Sequence, residues 1–380
     1  MGPLAGITVI ELAGIGPGPF AAMMLSDMGA NVIRIDRARG DEPGVRVPYR
    51  MNVMNRGRRS VAVNLKSPAG VELVLKLIEK ADALIEGFRP GVTERLGLGP
   101  DVCLKRNPKL VYGRMTGYGQ DGPMSSVAGH DINYIALSGM LSMIGERDRK
   151  PVAPLNLVGD FGGGGMFLAF GVVCGILEAR SSGQGQIVDS AMVEGAAMLG
   201  NIFQSFRAQG QLSPKRGDNI LDGGAHFYDT YETKDGGYMA IGAIEAPFYK
   251  KLLELMGLNQ AEFEPQMDKS RWPEWKRRFA EVFKTKTRDE WTRIMVHEDA
   301  CAMPVLSLDE AAAHPHNRAR KAFVEFAGVE QAAPAPRFSR TVPELTHPPA
   351  EPGEHSDAVL AEFGVGAADI AKLREQGALI

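Results

Sequence analysis

The sequence predicts an α/β protein, with a large Rossmann-like domain built on a mainly parallel sheet and a smaller α+β domain. Three observations point there. Short β-rich runs alternate with helical runs through the first half of the chain. After about Gly210 that alternation gives way to paired strand-like runs followed by helices. A proline-rich stretch, residues 332–352, then reads as an extended connector ahead of a last helix. Alternation of the first kind implies βαβ units around a parallel sheet. With 380 residues there is room for two ordinary domains. The expected division is a large domain over residues 1–205, a linker over 206–225, a small domain over 226–325, and a C-terminal segment over 326–380 that returns to the large domain.

The elements follow in order. Residues 7–12 read as a strand, 19–28 as a helix and 31–35 as a second strand. Ser67-Pro68 offers an N-cap followed by proline at the first helical position, opening a helix to about Lys80. Residues 83–85 and 110–114 are further short strands. The apolar run 166–177 contains Gly171 and Gly175 and ends at Glu178 and Arg180; it is too short to span a bilayer and reads as a buried helix. Residues 226–233 and 238–244 flank Lys234-Asp235-Gly236-Gly237, a hairpin signal. Helices are expected over 248–256, 272–283, 288–296 and 367–376.

Composition narrows the class. Hydrophobic residues at 44% and charged ones at 23% fit a soluble globular protein. A net charge of -3 gives no global attraction to nucleic acid or to an anionic membrane, so any anion site must be built locally. Cys103, Cys174 and Cys301 match no metal or redox spacing, which points to a reducing compartment and to packing roles. The opening residues lack the basic and apolar regions of a signal peptide. A cytoplasmic protein without nucleic-acid or membrane partners is expected.

Gly14-Ile15-Gly16-Pro17-Gly18-Pro19 lies between a predicted strand and a predicted helix, with Asp36 after the next strand. That arrangement invites a dinucleotide reading. A pyrophosphate cradle is made of backbone N–H groups, however, and Pro17 and Pro19 have none. A tight turn that packs a helix onto the sheet fits better. Basic residues cluster nearby: Arg34, Arg37 and Arg39; Arg56, Arg58 and Arg59, leading to Val63-Asn64-Leu65-Lys66; and Gly87-Phe88-Arg89, with Arg95 beyond. Their density suits a polyphosphate ligand, although a charge run alone is more often a solvated face.

Two segments carry chemistry. Gly129-His130-Asp131-Ile132-Asn133-Tyr134 stands at the head of an apparent helix, and Asn156-Leu157-Val158-Gly159-Asp160-Phe161 runs into Gly162-Gly163-Gly164-Gly165. Four glycines cost backbone entropy, so something must approach the main chain closely there. Free N–H groups at a helix start suit a developing oxyanion, while Asp160 is as readily an N-cap. A lone histidine is more often structural, but His130 and Asp160 together can work as an acid/base pair.

These segments resemble the family III CoA-transferase superfamily and, within it, the α-methylacyl-CoA racemase branch. The resemblance also takes in Glu11-Leu12-Ala13 before the Gly-rich turn, Gly185-Gln186-Ile187-Val188-Asp189-Ser190, Leu221-Asp222-Gly223-Gly224, Gly242-Ala243-Ile244-Glu245 and Pro336-Arg337-Phe338. It implies that His130 and Asp160 are acid/base residues on opposite sides of a substrate α-carbon, and that Glu245 orients the histidine. It implies CoA contacts from Arg37, from Val63, Asn64, Leu65 and Lys66, from Gly87, Phe88 and Arg89, from Arg95, and from the backbone of Gly129, His130, Asp131, Ile132, Asn133 and Tyr134. It further implies an interlocked homodimer with a composite active site, an acyl-CoA substrate, and no cofactor beyond the CoA that the substrate carries. Backbone N–H groups at Asp160 and the glycine run would hold the enolate oxygen. Loop residues 40–53 depart from the family pattern, and the tail over 363–377 resembles the transferase members. The alternative is a CoA-transferase with Asp160 as nucleophile. A transferase needs that aspartate but not His130 and Glu245, and a non-catalytic CoA-binding protein needs none of the three.

Overall fold

A computed structural model describes residues 1–37 and 47–380; Arg39 and residues 40–46 of the loop singled out above lie outside the described residues. In chain order the first elements are β1 (Thr8–Leu12), α1 (Pro17–Asp27), β2 (Asn31–Arg37), β3 (Arg58–Val63), α2 (Pro68–Ile78), β4 (Ala83–Glu86), α3 (Val92–Arg95), α4 (Pro100–Arg106) and β5 (Val111–Thr116). Then come α5 (Asp131–Leu137), α6 (Met140–Met143), a π-helix (Leu157–Gly165), α7 (Met166–Ser182), β6 (Gln186–Ala191), α8 (Met192–Leu199) and α9 (Asn201–Ala208). The next are β7 (Tyr228–Glu232), β8 (Tyr238–Gly242), α10 (Ala246–Met256), α11 (Trp272–Phe283), α12 (Arg288–Met295), β9 (Ala302–Pro304), α13 (Leu308–Ala313) and α14 (Pro315–Ala319). The chain ends with β10 (Phe323–Phe326), β11 (Val329–Ala332), α15 (Ser356–Glu362) and α16 (Ala367–Glu375). It divides into two compact units, residues 1–138, 155–199 and 320–380, and residues 139–154 with 200–319.

The first unit is an α/β layer. Its sheet has the order β3-β2-β1-β4-β5-β6, and every pairing is parallel. Strands rich in valine and isoleucine, such as β1 and β2, are buried on both faces, as a parallel sheet covered by helices requires. Sequence order reverses between β1 and β4. Parallel sheets leave a crevice at such a switch point, outside the carboxyl ends of the strands. The C-terminal segment packs here too: Val359, Leu360, Ile370 and Leu379 join Val61, Val63 and Leu73 in one core. Strands β3 and β6, the β10–β11 hairpin and α15 were not predicted. Strand β3 opens on Arg58-Arg59, a charged pair that hides it, and the first half of β6 is exposed.

The glycine run has a packing reason. A Cβ at Gly163 would lie 2.5 Å from the Ala196 nitrogen, one at Gly164 2.8 Å from Met192 Cγ, and one at Gly165 2.7 Å from the Pro17 carbonyl oxygen. From the other side, a Cβ at Gly195 would lie 1.8 Å from the Gly163 oxygen. What approaches this main chain is the protein itself, through α1 and α8.

Helix α7 corrects an expectation. Leu168, Ala169, Val172, Ile176 and Ala179 are buried, but Met166, Phe170 and Leu177 are 52%, 70% and 63% exposed, so the helix is half-buried. With the π-helix it forms a run, Leu157–Ser182, that is long and apolar enough to cross a bilayer by length and composition, longer than the sequence reading allowed. Cysteine is a second correction. Cys103 is buried, whereas Cys174 and Cys301 are exposed.

In the second unit, β7, β8 and β9 form an antiparallel sheet over an aromatic core of Phe227, Phe263, Trp275, Phe279 and Phe283. His226 sits within it, fully buried, with its Nε2 2.6 Å from the Tyr249 hydroxyl. Burial, and secondarily the charge of Lys276, push the imidazole down to about 3.

Two outcomes are expected. Gly195→Ala should lower the urea midpoint by the equivalent of about 1–3 kcal/mol, because main chain cannot move aside as a flexible side chain can. For His226, the unfolded side chain takes a proton near pH 6.5 and the folded one only near 3. Its contribution to stability is therefore whole above 6.5 and drains away as pH falls toward 3. Melting curves should show Tm falling less steeply over that window in His226→Gln than in the native protein; equal slopes would assign the acid sensitivity elsewhere.

Candidate active site

A cavity of about 760 Å³ opens at the switch point. Its walls are the segments leaving three strands: Gly14, Gly16 and Pro17 after β1, Gly87, Phe88 and Arg89 after β4, and Gly117 and Tyr118 after β5. Gly129, His130, Asn133, Tyr134, Asn156 and Asp160 also line it, as do Asn52, Met54 and Asn55. The loop after β4 is held from behind. The buried Glu86 carboxylate accepts the Phe88 N–H at 2.7 Å and the Arg114 Nε at 2.9 Å.

His130 is the N-cap residue of α5, its imidazole exposed and its backbone N–H donating to Asn133 Oδ1 at 3.0 Å. Tyr134 beneath it donates its hydroxyl to the Gly129 carbonyl and meets Tyr118 edge to face at 5.0 Å. Burial pushes the Tyr134 phenol up to about 12, so it stays protonated at neutral pH.

Asp160 stands in the first turn of the π-helix, half-buried. Asn156 Nδ2 donates to its Oδ2 at 3.1 Å. Gly16, at φ 67, presses against it from the loop after β1, where a Cβ would lie 3.3 Å from that same oxygen. The Gly-rich turn is thus both a packing turn and a wall of the site. Burial raises the affinity of Asp160 for a proton; the Asn156 hydrogen bond lowers it, Asp131 raises it and His130 lowers it. The N–H groups of Gly159 and Asp160 donate to Asp131 Oδ2 at 2.6 and 2.7 Å. They are occupied and do not face a substrate oxygen, which corrects the oxyanion site expected there.

Other predicted residues lie away from the cavity lining. Arg37 is exposed at the end of β2 and Arg95 at the end of α3. Val63 packs in the core at the end of β3, and Asn64 is tied to the C-terminus through Ala378 and Gly377. Leu65 and Lys66 follow it. Asp131 is buried behind the wall, Ile132 is exposed beside it, and Glu245 stands at the N-cap position of α10 in the second unit, with no capping hydrogen bond from its side chain. Three arginines of the basic clusters are corrected outright. Arg34 pairs with Asp36 at 3.1 Å, Arg56 with Asp27 at 2.6 Å and Arg58 with Glu11 at 3.1 Å, all buried. They are internal ion pairs, and no phosphate reaches them. Sequence reasoning passed over Asn156 and Tyr118 as site residues. The Asn156–Asp160 spacing was a usable signal, since residues four apart meet on a helix.

A model of CoA-transferase family III matches residues 4–356. The chain belongs to this family. It is 46% identical over 373 residues to α-methylacyl-CoA racemase from Mus musculus, spanning 97% of this chain and 96% of that protein. To the racemase of the same name from Homo sapiens it is 43% identical over 378 residues, with the same coverage. Among solved structures, a CaiB/BaiF family protein from Brucella suis superposes with a TM-score of 0.80 at 27% identity, covering 95% of this chain and 99% of that one.

Asn156→Ala should raise the proton affinity of Asp160 further, because a donor to the ionised form is lost. The Asp160 carboxyl resonance in 13C NMR should then titrate at higher pH than in the native protein. An unchanged midpoint would show that the Asn156 contact does not form in solution.

Proposed function

We propose that the chain is an α-methylacyl-CoA racemase, an isomerase that interconverts (2R)- and (2S)-2-methylacyl-CoA by two-base 1,1-proton transfer through an enolate. The observation that carries this is His130 and Asp160 lining one cavity, in a chain 46% and 43% identical over nearly its full length to two enzymes of that name. The thioester acidifies its α-proton. In our reading, ionised Asp160 removes that proton from one face while protonated His130 supplies one to the other; with the roles exchanged, the opposite configuration is consumed. A proton affinity raised by burial suits Asp160 for both directions. Proton transfer changes no oxidation state, and the mechanism uses no metal or redox cofactor; CoA arrives with the substrate.

We assign CoA contacts to Gly87, Phe88 and Arg89 in the cavity. Arg37, residues 63–66 and Arg95 are assigned to the phosphate and adenosine end, since β2 and β3 end on the same carboxyl edge of the sheet. Among the described residues, Arg37, Arg89 and Arg95 enter no ion pair, which leaves their charges for a ligand. We further propose an interlocked homodimer in which Glu245 of the partner subunit orients His130. The exposed apolar row Met166, Phe170 and Leu177 supports burial against a second copy. The transferase alternative, with Asp160 forming an acyl anhydride, is less favoured because His130 would have no part in it.

Purified protein should place solvent deuterium at the α-carbon of a 2-methylacyl-CoA without any acceptor acid. Transfer of CoA to free carboxylates with no α-exchange would instead establish the transferase. Arg89→Ala should raise KM about tenfold with kcat little changed, as for loss of a charge-assisted hydrogen bond of about 1.5 kcal/mol. Phe170→Asp should give a monomer in analytical ultracentrifugation and lose activity; an active dimer would remove this helix face from the interface.

A further inference from the structure

We infer that Asp131 is the positioning residue that sets the geometry between the two acid/base side chains, an inference that rests on the two-base reading above. Asp131 is covalently joined to His130 at the head of α5 and is 4% exposed. Its Oδ2 accepts the N–H of Gly159 at 2.6 Å and of Asp160 at 2.7 Å. Both donors belong to the first turn of the π-helix, where no intrahelical acceptor exists. One helix head thus caps another. The residue beside one base is bonded to the main chain of the other base, with a single side chain between them. The fit at Gly159 is close, since a Cβ there would lie 2.6 Å from the same oxygen.

Capping alone does not explain a charged residue. Asn or Ser caps a helix about as well as Asp, without the cost of burying a carboxylate. The second oxygen, Oδ1, is buried and has no hydrogen-bond partner among the described residues. That carboxyl group, next to the first turn that carries Asp160, raises the proton affinity of Asp160. Among the described residues, His130 and Tyr134 come from the head of α5, and Arg89 and Tyr118 line the cavity from the loops after β4 and β5. The loop after β1, the head of α8 and the segment after β2 bring Gly16, Pro17, Met192, Asn52, Met54 and Asn55, none of them titratable. Asp131 is the carboxyl group among these described neighbours.

Two variants separate position from charge. Asp131→Ala removes the acceptor; Asp131→Asn keeps an oxygen for both N–H groups and removes the charge. In Asp131→Ala, kcat for α-proton exchange should fall at least about 30-fold in both directions, because a displaced base loses its approach to the α-carbon. KM for the acyl-CoA should stay within about threefold. Asp131→Asn should recover at least about tenfold of that kcat and move the Asp160 midpoint, read by 13C carboxyl NMR, to lower pH. A wild-type kcat in Asp131→Ala, or an unmoved Asp160 midpoint in Asp131→Asn, overturns the assignment. If the alanine variant does not fold, the asparagine variant decides alone. The NMR midpoint needs no turnover, so a native protein that fails to exchange the α-proton sinks the two-base reading while Asp131 is still judged by the shift.

Discussion

Where the π-helix meets α8, Gly163 and Gly195 let two main chains touch with no side chain between them, and this approach fixes where Asp160 stands. Each glycine in a helix costs roughly 0.5–1 kcal/mol against alanine, and here the cost is offset by a fit no other residue allows. With α1 pressed on Gly164 and Gly165 at Pro17 and Phe20, the end of the π-helix is clamped from two sides. At its start, Asp131 meets the free N–H groups of Gly159 and Asp160. The Gly-rich turn after β1 presses on the Asp160 carboxylate. A carboxyl group held in this way has little freedom to relax toward water, which is why burial dominates its chemistry.

The charges of the first unit are sorted by depth. Arg34, Arg56 and Arg58 turn inward to Asp36, Asp27 and Glu11, and Arg114 turns to Glu86 and Glu94. Buried pairs of this kind bring little net stability over an apolar core, because desolvation consumes most of the attraction. They do fix geometry. Arg56 also reaches Gln331 and the Ala332 carbonyl, which joins the β2–β3 region to the C-terminal segment. Glu86, held by Arg114, sets the loop that carries Arg89 into the cavity.

Much of the architecture was legible in the sequence, because period and punctuation carry it. The helix over residues 272–283 reads with the observed bounds, since its apolar residues recur at helical spacing, and Ser67-Pro68 marks the start of α2. Strand β3 was not legible, because Arg58 is buried against Glu11 and Arg59 is paired with Glu362, partners far away in sequence. The same blindness made those arginines look like a phosphate handle. His130 and Asp160 were visible as residues, and the structure places both in one cavity, but the role of the glycines was not. A run of glycines announces close approach without saying what approaches. The interlocking of Asp131 with Gly159 and Asp160 lies across 28 and 29 residues of chain and leaves no local pattern.

The π-helical turn has a bearing on how this chain can change. Its rings close five residues back, as in the bond from the Met166 N–H to the Phe161 carbonyl, instead of the usual four. Deleting a single residue between 157 and 165 would let the turn revert to α-helical closure and swing the preceding side chains about 100° around the axis. Asp160 would then leave the cavity although no functional residue had been replaced. Insertions and deletions in this stretch are therefore as damaging as substitutions of the base itself, and the site is protected by count as strictly as by identity.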